Sequence, residues 1–266
     1  MVNPKSAEYG EISQHYIAIA MGLSELNIDY PELADNLRAF ESDNAGMPFS
    51  DTKLMNYQNL CLIYYIYMNS VEDADEAIRR VLEPALTELN QFGSTIENSS
   101  GYYYHYNMYL AAAYQSLAGK AETGEEAQIF YYRSLECCEN VLSQISVEEE
   151  PKICEDMYMT MAKVFEALEL KSEVVRTYEE AEQVLGVTSA KIYINHLRYL
   201  YNTYKTQNPD VSAWNAPDII EVYQAGSQVP GIRDNFEWKP LVSNLQPLLE
   251  KSGNTSGNGT QSDGGM

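Results

Sequence analysis

The chain has 266 residues, of which 45% are hydrophobic and 11% aromatic, and most of its aromatic residues are its 22 tyrosines. Its 17 Lys and Arg residues against 39 Asp and Glu residues give a formal net charge of −22. A field of that sign repels nucleic acid and anionic lipid, so we expect neither as a partner. The acidity either only keeps the chain soluble or also attracts a basic or neutral protein partner.

The sequence shows no segment that predicts membrane insertion or secretion. Residues 60–68 form the longest apolar run, which is tyrosine-rich and shorter than the roughly 18 residues that a membrane span requires. The first residues lack the basic segment and apolar run of a signal peptide. We therefore expect a cytoplasmic protein if the chain is complete, and an extracytoplasmic location if it is an excerpt of a membrane-anchored protein.

The four cysteines do not form a pattern that predicts disulfides or metal binding. They are Cys61, Cys137, Cys138 and Cys154, and no CxxC spacing occurs among them. Adjacent helical residues such as Cys137 and Cys138 point in different directions, which disfavours a bond between them. We expect Cys61 and Cys138 to pack as small buried side chains.

Hydrophobic periodicity predicts helices in the first third of the chain. They cover residues 6–26, 31–41 and 50–69, with Ser50 as the cap of the third. A further helix begins at Ser70 with acidic residues in its first turns, where the helix dipole favours them. Pro84 removes a helical hydrogen bond, so we expect a kink or a break near residues 80–83.

The clearest helical hairpin covers residues 155–188. Ala162 in its first arm and Ala181 in its second arm are small, and Tyr158, Phe165 and Tyr178 lie beside them on the apolar faces. Small residues at facing positions let two helix backbones approach closely while large neighbours fill the remaining space. The pattern therefore predicts two antiparallel helices in close contact.

Other segments repeat this arrangement. Arms 102–117 and 125–145 place Ala111 and Ser134 at the positions of the two small residues, and residues 60–64 and 74–81 form a looser copy. Further on, 197–201 repeat the first arm, and Ile219, Tyr223 and Gly226 repeat the second. We expect a last helix over 237–250 to cap the stack, and the Gly, Ser and Asn-rich tail from 252 to 266 to be disordered.

These hairpins resemble the tetratricopeptide-repeat family. Only the hairpin at 155–188 has the standard length, Gly186 stands where the family has a closing proline, and the other copies carry insertions. The resemblance implies an all-α fold in which residues 1–251 form a right-handed superhelical stack of antiparallel helix pairs, with about ten helices.

In such a hairpin the first arm lines a concave surface, so the resemblance implies a groove for a peptide or a partner protein. Aligning the arms assigns the following residues to that groove: Gln58, Leu62, His105, Met108, Gln115, Asp156, Met159, Lys163, Glu166, Asn195, Tyr199 and Asn202. These side chains either contact a partner or only interact with solvent. The tyrosines of 102–109 either pack in the core or form a platform on which a ligand stacks.

The sequence carries no motif for catalysis or for a cofactor. It contains no Gly-rich phosphate loop, dinucleotide fingerprint or GxSxG turn. His15, His105 and His196 fall on different predicted helices, each without a second ligand at helical spacing, so we expect surface or half-buried histidines and no metal site. These observations favour a non-catalytic protein with no cofactor.

Two alternatives to a scaffold stay open. In composition the chain resembles the Tyr-rich, acidic repeat regions that follow membrane-associated Ser/Thr protein kinases of Gram-positive bacteria, a likeness carried by residues 3–5, Tyr9, 63–65 and 102–104. That likeness implies a regulatory or sensor region of a bacterial signalling protein. The other alternative, an all-α enzyme, requires an enclosed pocket with converging polar groups.

Overall fold

The computed structural model describes residues 40–67, 71–96 and 99–256, with the backbone alone for 62–67, 71–73 and 253–256. Every regular element in these ranges is a helix, which confirms the predicted all-α class. The predicted helix over 6–26, with His15, and most of the one over 31–41 lie outside the described residues. Contacts divide the chain into unit 1 (Met1–Glu149 and Lys163–Glu169) and unit 2 (Glu150–Ala162 and Leu170–Met266), where the sequence predicts one repeat domain.

Among its described residues, unit 1 contains a helical segment at 40–45 and the helices α1 (Asp51–Tyr67), α2 (Val71–Ala77), α3 (Glu83–Phe92), α4 (Ser99–Ala118) and α5 (Gly124–Leu142). Side-chain caps start two of them. The Lys53 amide donates to the Ser50 hydroxyl at 3.3 Å, and the Glu126 amide donates to the Thr123 hydroxyl at 3.2 Å. Each cap satisfies a backbone N–H that the first turn of a helix leaves without a partner.

A π turn, Ile78–Leu82, joins α2 to α3 directly before Pro84. The Glu83 amide donates to the Ile78 carbonyl, five residues back. Because proline has no N–H, it cannot donate to the carbonyl of Arg80, and the regular α-helical ladder cannot pass through it. The wider turn pairs the backbone differently and leads into α3, so the expected disturbance is present as a local change of winding.

Helices α4 and α5 pack against each other through the two small residues that the repeat pattern singled out. Ala111 and Ser134 are both buried, and the Ser134 hydroxyl donates to the Ala111 carbonyl at 2.9 Å. A large side chain at either position would hold the backbones apart. Ala162 and Ala181, the corresponding residues of the hairpin at 155–188, are also buried.

Two of the five tyrosines at the start of α4 belong to the core, and the other three are half-buried. Tyr106 is fully buried, and its hydroxyl donates to the Leu54 carbonyl of α1 at 2.5 Å. Burial raises the pKa of Tyr106 above its ordinary value, so the phenol stays a neutral donor. Tyr109 is buried as well, which favours core packing over a ligand platform for these two residues.

Unit 1 also buries a lysine. Lys53 is only 3% exposed, and its ammonium donates to Glu88 Oε1 at 2.7 Å, to the Met47 carbonyl at 3.0 Å and to the Ala45 carbonyl at 3.2 Å. An ammonium has three N–H donors, and here all three have partners. The lysine therefore ties the loop before α1 to helices α1 and α3.

Unit 2 contains α7 (Lys171–Leu185), α8 (Ala190–Gln207), α9 (Pro217–Gly226) and α10 (Trp238–Ser256), and it shares α6 (Pro151–Ala167) with unit 1. Helix α8 is central, because α7, α9 and α10 each contact it. Its inner face joins a core that includes Leu197, Trp214, Ile219, Trp238 and Leu245. Helix α10 continues past its predicted end, so 252–256 of the expected disordered tail are helical, while 257–266 lie outside the described residues.

Two glycines of unit 2 are required by the geometry. A Cβ on Gly226 would lie 2.9 Å from Cη2 of Trp238 and 3.1 Å from Cβ of Tyr193, so only glycine allows this close approach of α9. Gly186 ends α7 with a φ of +53°, a conformation that L side chains rarely adopt. A glycine adopts this conformation without the strain that a Cβ would cause there.

Candidate functional site

In unit 1, none of the groove residues whose side chains the structure describes is more than half-buried. Gln58, His105, Met108 and Gln115 are half-buried, and Lys163 and Glu166 are exposed; Leu62 lies on α1 where only the backbone is described. His105 donates from Nδ1 to the Gly101 carbonyl at 2.7 Å and stacks on Tyr104 with ring centroids 4.3 Å apart. The imidazole is thus held against its own helix.

In unit 2, one assigned residue is placed where a partner cannot touch it. Met159 is 4% exposed, so it belongs to the packed interior, and its place in a solvent-facing groove was a wrong prediction. The physical reason is that α6 buries more of its circumference than a two-sided repeat helix would, as Met157, Tyr158 and Met159 are buried in succession.

The other assigned residues of unit 2 reach the surface, but several are already engaged. Asp156 forms an ion pair with Lys191 at 2.7 Å. Asn195 donates to the Lys191 carbonyl at 2.8 Å and accepts from Arg198 at 3.0 Å. Tyr199 is half-buried and Asn202 is exposed. The twelve residues are thus distributed over both units, and a single groove formed by all of them stays a prediction.

The structure instead shows a distinct cleft within unit 2, between helices α7, α8 and α9. It has a volume of about 430 Å³, and it is half open to solvent. Its lining consists of Val175, Glu179, Glu182, Gln183, His196, Leu200, Asp218, Glu221, Val222 and Ala225. Spacings of three and four residues bring the members from each helix onto one face.

The charged groups of this cleft are all of one sign, apart from its histidine. Four carboxylates line it, from Glu179 and Glu182 on α7 and from Asp218 and Glu221 on α9, and no Lys or Arg is among the lining residues. Neither Glu179 nor Glu221 forms an ion pair with any residue in the described part of the chain. Unpaired carboxylates around one opening create a negative potential that favours a cation.

His196 lies in this lining at 2% exposure, whereas the sequence predicted a surface or half-buried position. Its Nδ1 lies 2.7 Å from Oε1 of Glu182. Because a carboxylate only accepts hydrogen bonds, Nδ1 carries the proton. The ring stacks on Tyr178 with centroids 5.0 Å apart and an interplanar angle of 13°, which fixes its orientation.

The second ring nitrogen of His196 is unused. Nε2 is buried and has no hydrogen-bond partner among the described residues. Buried polar atoms without a partner are rare in native proteins, because each one loses its hydrogen bonds to water without replacement. His196 is therefore incompletely satisfied by the fold that surrounds it.

Asp218 on the opposite side of the cleft is held in place by a tyrosine. The hydroxyl of Tyr204 donates to Oδ1 of Asp218 at 2.9 Å. Burial, and then this hydrogen bond, raise the pKa of Tyr204, so the phenol stays protonated as the donor. A carboxylate has two oxygens, and this hydrogen bond uses only one of those of Asp218.

A second cavity, in unit 1, offers less chemistry. It has a volume of about 370 Å³, is more open, and is lined by Leu89, Asn90, Gly93, Ser94, Ser99, Ser100, Tyr103 and Gln144. None of these side chains is charged. Within the described ranges, no group of three or more His, Cys, Asp and Glu residues is arranged to hold a metal ion.

The sequence contained a weak signal for the cleft that periodicity alone could not interpret. Glu179, Glu182 and Gln183 share a face of α7, and Asp218 and Glu221 share a face of α9. With 39 acidic residues, such pairs are expected by chance on many helices. Only the packing of α7, α8 and α9 shows which acidic faces meet.

Comparisons with known proteins do not identify a family for this chain. The sequence matches no protein-family model, and neither a curated protein nor a solved structure is similar to the chain. Among the described helices, none is both long and apolar enough to cross a lipid bilayer.

Proposed function

We propose that the chain is a non-catalytic scaffold that binds a basic segment of a partner protein, and that the segment docks in the cleft of unit 2. The observation that supports this most is the carboxylate lining without a basic residue. Clustered carboxylates repel one another, and a cationic ligand removes that repulsion. The net charge of −22 adds long-range attraction for the same partner.

The tetratricopeptide-like arrangement belongs to this proposal. Stacked hairpins require small residues where helices meet, as Ala111 and Ser134 are between α4 and α5 and Gly226 is between α9 and α8. Ala162 and Ala181, which are also small, are buried. A right-handed superhelix built from such hairpins presents helix faces to a partner over several repeats. The partner would then contact more of the chain than the cleft alone.

An enzyme is the second candidate, because the pair of His196 and Glu182 resembles the carboxylate–imidazole pairs that act as general bases. One observation favours binding instead: the lining of the cleft contains no Ser, Thr, Cys or Lys to serve as a nucleophile.

Fluorescence anisotropy with defined peptides tests the scaffold. The probe is a labelled peptide in which arginine alternates with glycine and serine, and its neutral match carries citrulline at each arginine position. We expect the arginine peptide to bind at low ionic strength, and Glu179→Gln with Glu221→Gln to weaken binding about tenfold, since each lost charge contact contributes of the order of 0.7 kcal/mol.

The matched control removes two negative charges outside the cleft, through Glu148→Gln with Glu149→Gln. Both residues are exposed and belong to unit 1. It should change the affinity much less than the cleft variant. Equal weakening in both variants would mean that the peptide senses only net charge. Binding of the citrulline peptide as tightly as the arginine peptide would also overturn the proposal.

A further inference from the structure

The cleft of unit 2 holds an unused hydrogen-bond acceptor beside its carboxylates. In the neutral ring, Nδ1–H of His196 donates to Glu182, and Nε2 therefore presents a lone pair. That lone pair is buried and has no partner among the described residues. Leaving such an acceptor unsatisfied is unfavourable, and a ligand with a suitable N–H donor would remove that cost.

The same cleft also has an apolar side. Val175 on α7, Leu200 on α8, and Val222 with Ala225 on α9 lie among the acidic lining residues. Leu200 and Val222 are buried, so they form the inner wall, whereas Glu179 and Glu221 are exposed at the mouth. A ligand that matches this arrangement has an aliphatic stem and a cationic head with several donors.

We propose that the cleft receives a single arginine side chain of the partner segment, whose guanidinium pairs with the carboxylates and donates one N–H to Nε2 of His196. This inference rests on the proposed function. A planar guanidinium has five N–H donors and can serve carboxylate oxygens and Nε2 together, while an ammonium has three. The cleft opens to solvent on one side, which leaves room outside it for the backbone of the partner that carries this side chain.

The buried position of Nε2 sets one geometric requirement. A side chain of the lining has to change rotamer before the guanidinium reaches the nitrogen. Glu179 and Gln183 are exposed, so they can change rotamer without disturbing the core. Tyr178 and Glu182 keep the imidazole fixed meanwhile, through the stacked ring and the hydrogen bond at Nδ1.

Nitrogen-15 NMR of histidine-labelled protein tests the contact directly. The probe is a Gly- and Ser-based peptide with one arginine, and its matched peptide has lysine in that position. On addition of the arginine peptide, the Nε2 resonance of His196 should move upfield, because accepting a hydrogen bond shields an unprotonated imidazole nitrogen. His15 and His105 serve as internal references. The lysine peptide should bind about tenfold more weakly.

Mutation provides a second, independent measurement. In His196→Asn, the amide Nδ2 can take the place of Nδ1 and donate to Glu182, while the acceptor at Nε2 is lost. The affinity for the arginine peptide should fall about tenfold or more, since a hydrogen bond to a charged donor is stronger than one between neutral groups. Circular dichroism checks that the variant is folded, and the NMR titration of the unmodified chain does not depend on it.

The outcomes separate this inference from the proposed function. Suppose that arginine peptides bind and that Glu179→Gln with Glu221→Gln weakens this binding, but that the Nε2 resonance does not move. The proposed scaffold then stands, and the contact to His196 is refuted. Equal affinity for the lysine peptide refutes the guanidinium selectivity. Agmatine binding as tightly as the peptide would show a site for a free small molecule. If no basic peptide binds at all, both proposals fail.

Discussion

Among the described residues, each unit buries one basic side chain against a glutamate at the same distance, but the hydrogen-bonding groups of the two are satisfied differently. Lys53 in unit 1 and His196 in unit 2 both lie 2.7 Å from a carboxylate oxygen. All three donors of Lys53 have partners, whereas Nε2 of His196 has none. A buried group with all its hydrogen bonds formed stabilises its own fold. A group with one hydrogen-bonding atom left over in the lining of a cleft is available to a ligand.

Asn56 shows that a buried atom without a hydrogen-bond partner indicates a ligand site only when it lies beside a cavity. Its Oδ1 also lacks a hydrogen-bond partner among the described residues, while its Nδ2 donates to Oδ1 of Asn44 at 3.1 Å. Both asparagines are 0% exposed and lie away from the lining of the two cavities described above. An unsatisfied atom of this kind is a local cost of the fold and indicates no ligand.

The largest expected effect is the loss of the saturated lysine in unit 1. Lys53→Met leaves Glu88 and two carbonyls without their donor, so we expect the free energy of unfolding to fall by about 3 kcal/mol. Chemical denaturation followed by circular dichroism measures it. The control is Lys239→Met, whose exposed pair with Asp234 at 3.6 Å should contribute less than about 0.5 kcal/mol. Similar losses in both variants would contradict the structural role of Lys53.

The next effect tests whether the core around the cleft is as closely packed as unit 1. Gly226→Val inserts a branched side chain where even a Cβ would lie 2.9 Å from Trp238, and we expect a loss of about 2 kcal/mol. Tryptophan fluorescence suits the measurement, because Trp214 and Trp238 both belong to unit 2. Gly124→Ala is the control, since no atom lies within 4 Å of its added Cβ. An unchanged Gly226→Val protein would mean a loosely packed core.

A paired acid in unit 2 should stabilise the fold in a pH-dependent way. Burial by itself raises the pKa of Glu155, but hydrogen bonds from Lys152 and Ser189, with the charges of Lys152 and Lys191, bring it below its ordinary value. A lowered pKa in the folded state gives stability that is present above the unfolded-state pKa and is lost as the pH falls through the folded-state pKa.

Glu155→Gln should therefore cost up to about 1 kcal/mol at neutral pH, and the difference from the unmodified protein should shrink in acid. Thermal unfolding across the acidic range follows this convergence. The control Glu166→Gln replaces an exposed residue on the same helix. The difference between its unfolding temperature and that of the unmodified protein should stay constant at every pH. A Glu155→Gln difference that stays constant with pH would rule out the electrostatic explanation.

The smallest expected effect comes from comparing the same substitution, Glu→Gln, in the two units. Glu88→Gln removes the carboxylate partner of Lys53 and should destabilise unit 1. Glu221→Gln removes one of four clustered carboxylates and should instead stabilise the ligand-free chain by about 0.5 kcal/mol at low ionic strength. Salt should abolish this gain because it screens the repulsion. Destabilisation by both substitutions would mean that the carboxylates of the cleft stabilise the fold and do not repel one another in the absence of a ligand.

Several local features could be read from the sequence because short-range chemistry decides them. The Ser50 cap and the disturbance before Pro84 follow from residues within about a turn of one another. The small pair Ala111 and Ser134 follows from the pattern of two helices that are consecutive in the chain. The groove assignment was less successful, as Met159 is buried. Periodicity identifies an apolar face, but it does not say how many neighbours cover the remaining circumference of the helix.

By itself, the sequence determined that the described chain is helical, where its helices begin and bend, and that its field is strongly negative, since caps, periodicity and net charge are properties of local residues and composition. The tertiary structure alone decided that α7, α8 and α9 enclose a carboxylate-lined cleft with a half-satisfied histidine. That site depends on which helix faces meet, and the meeting is set by packing between residues far apart in the chain.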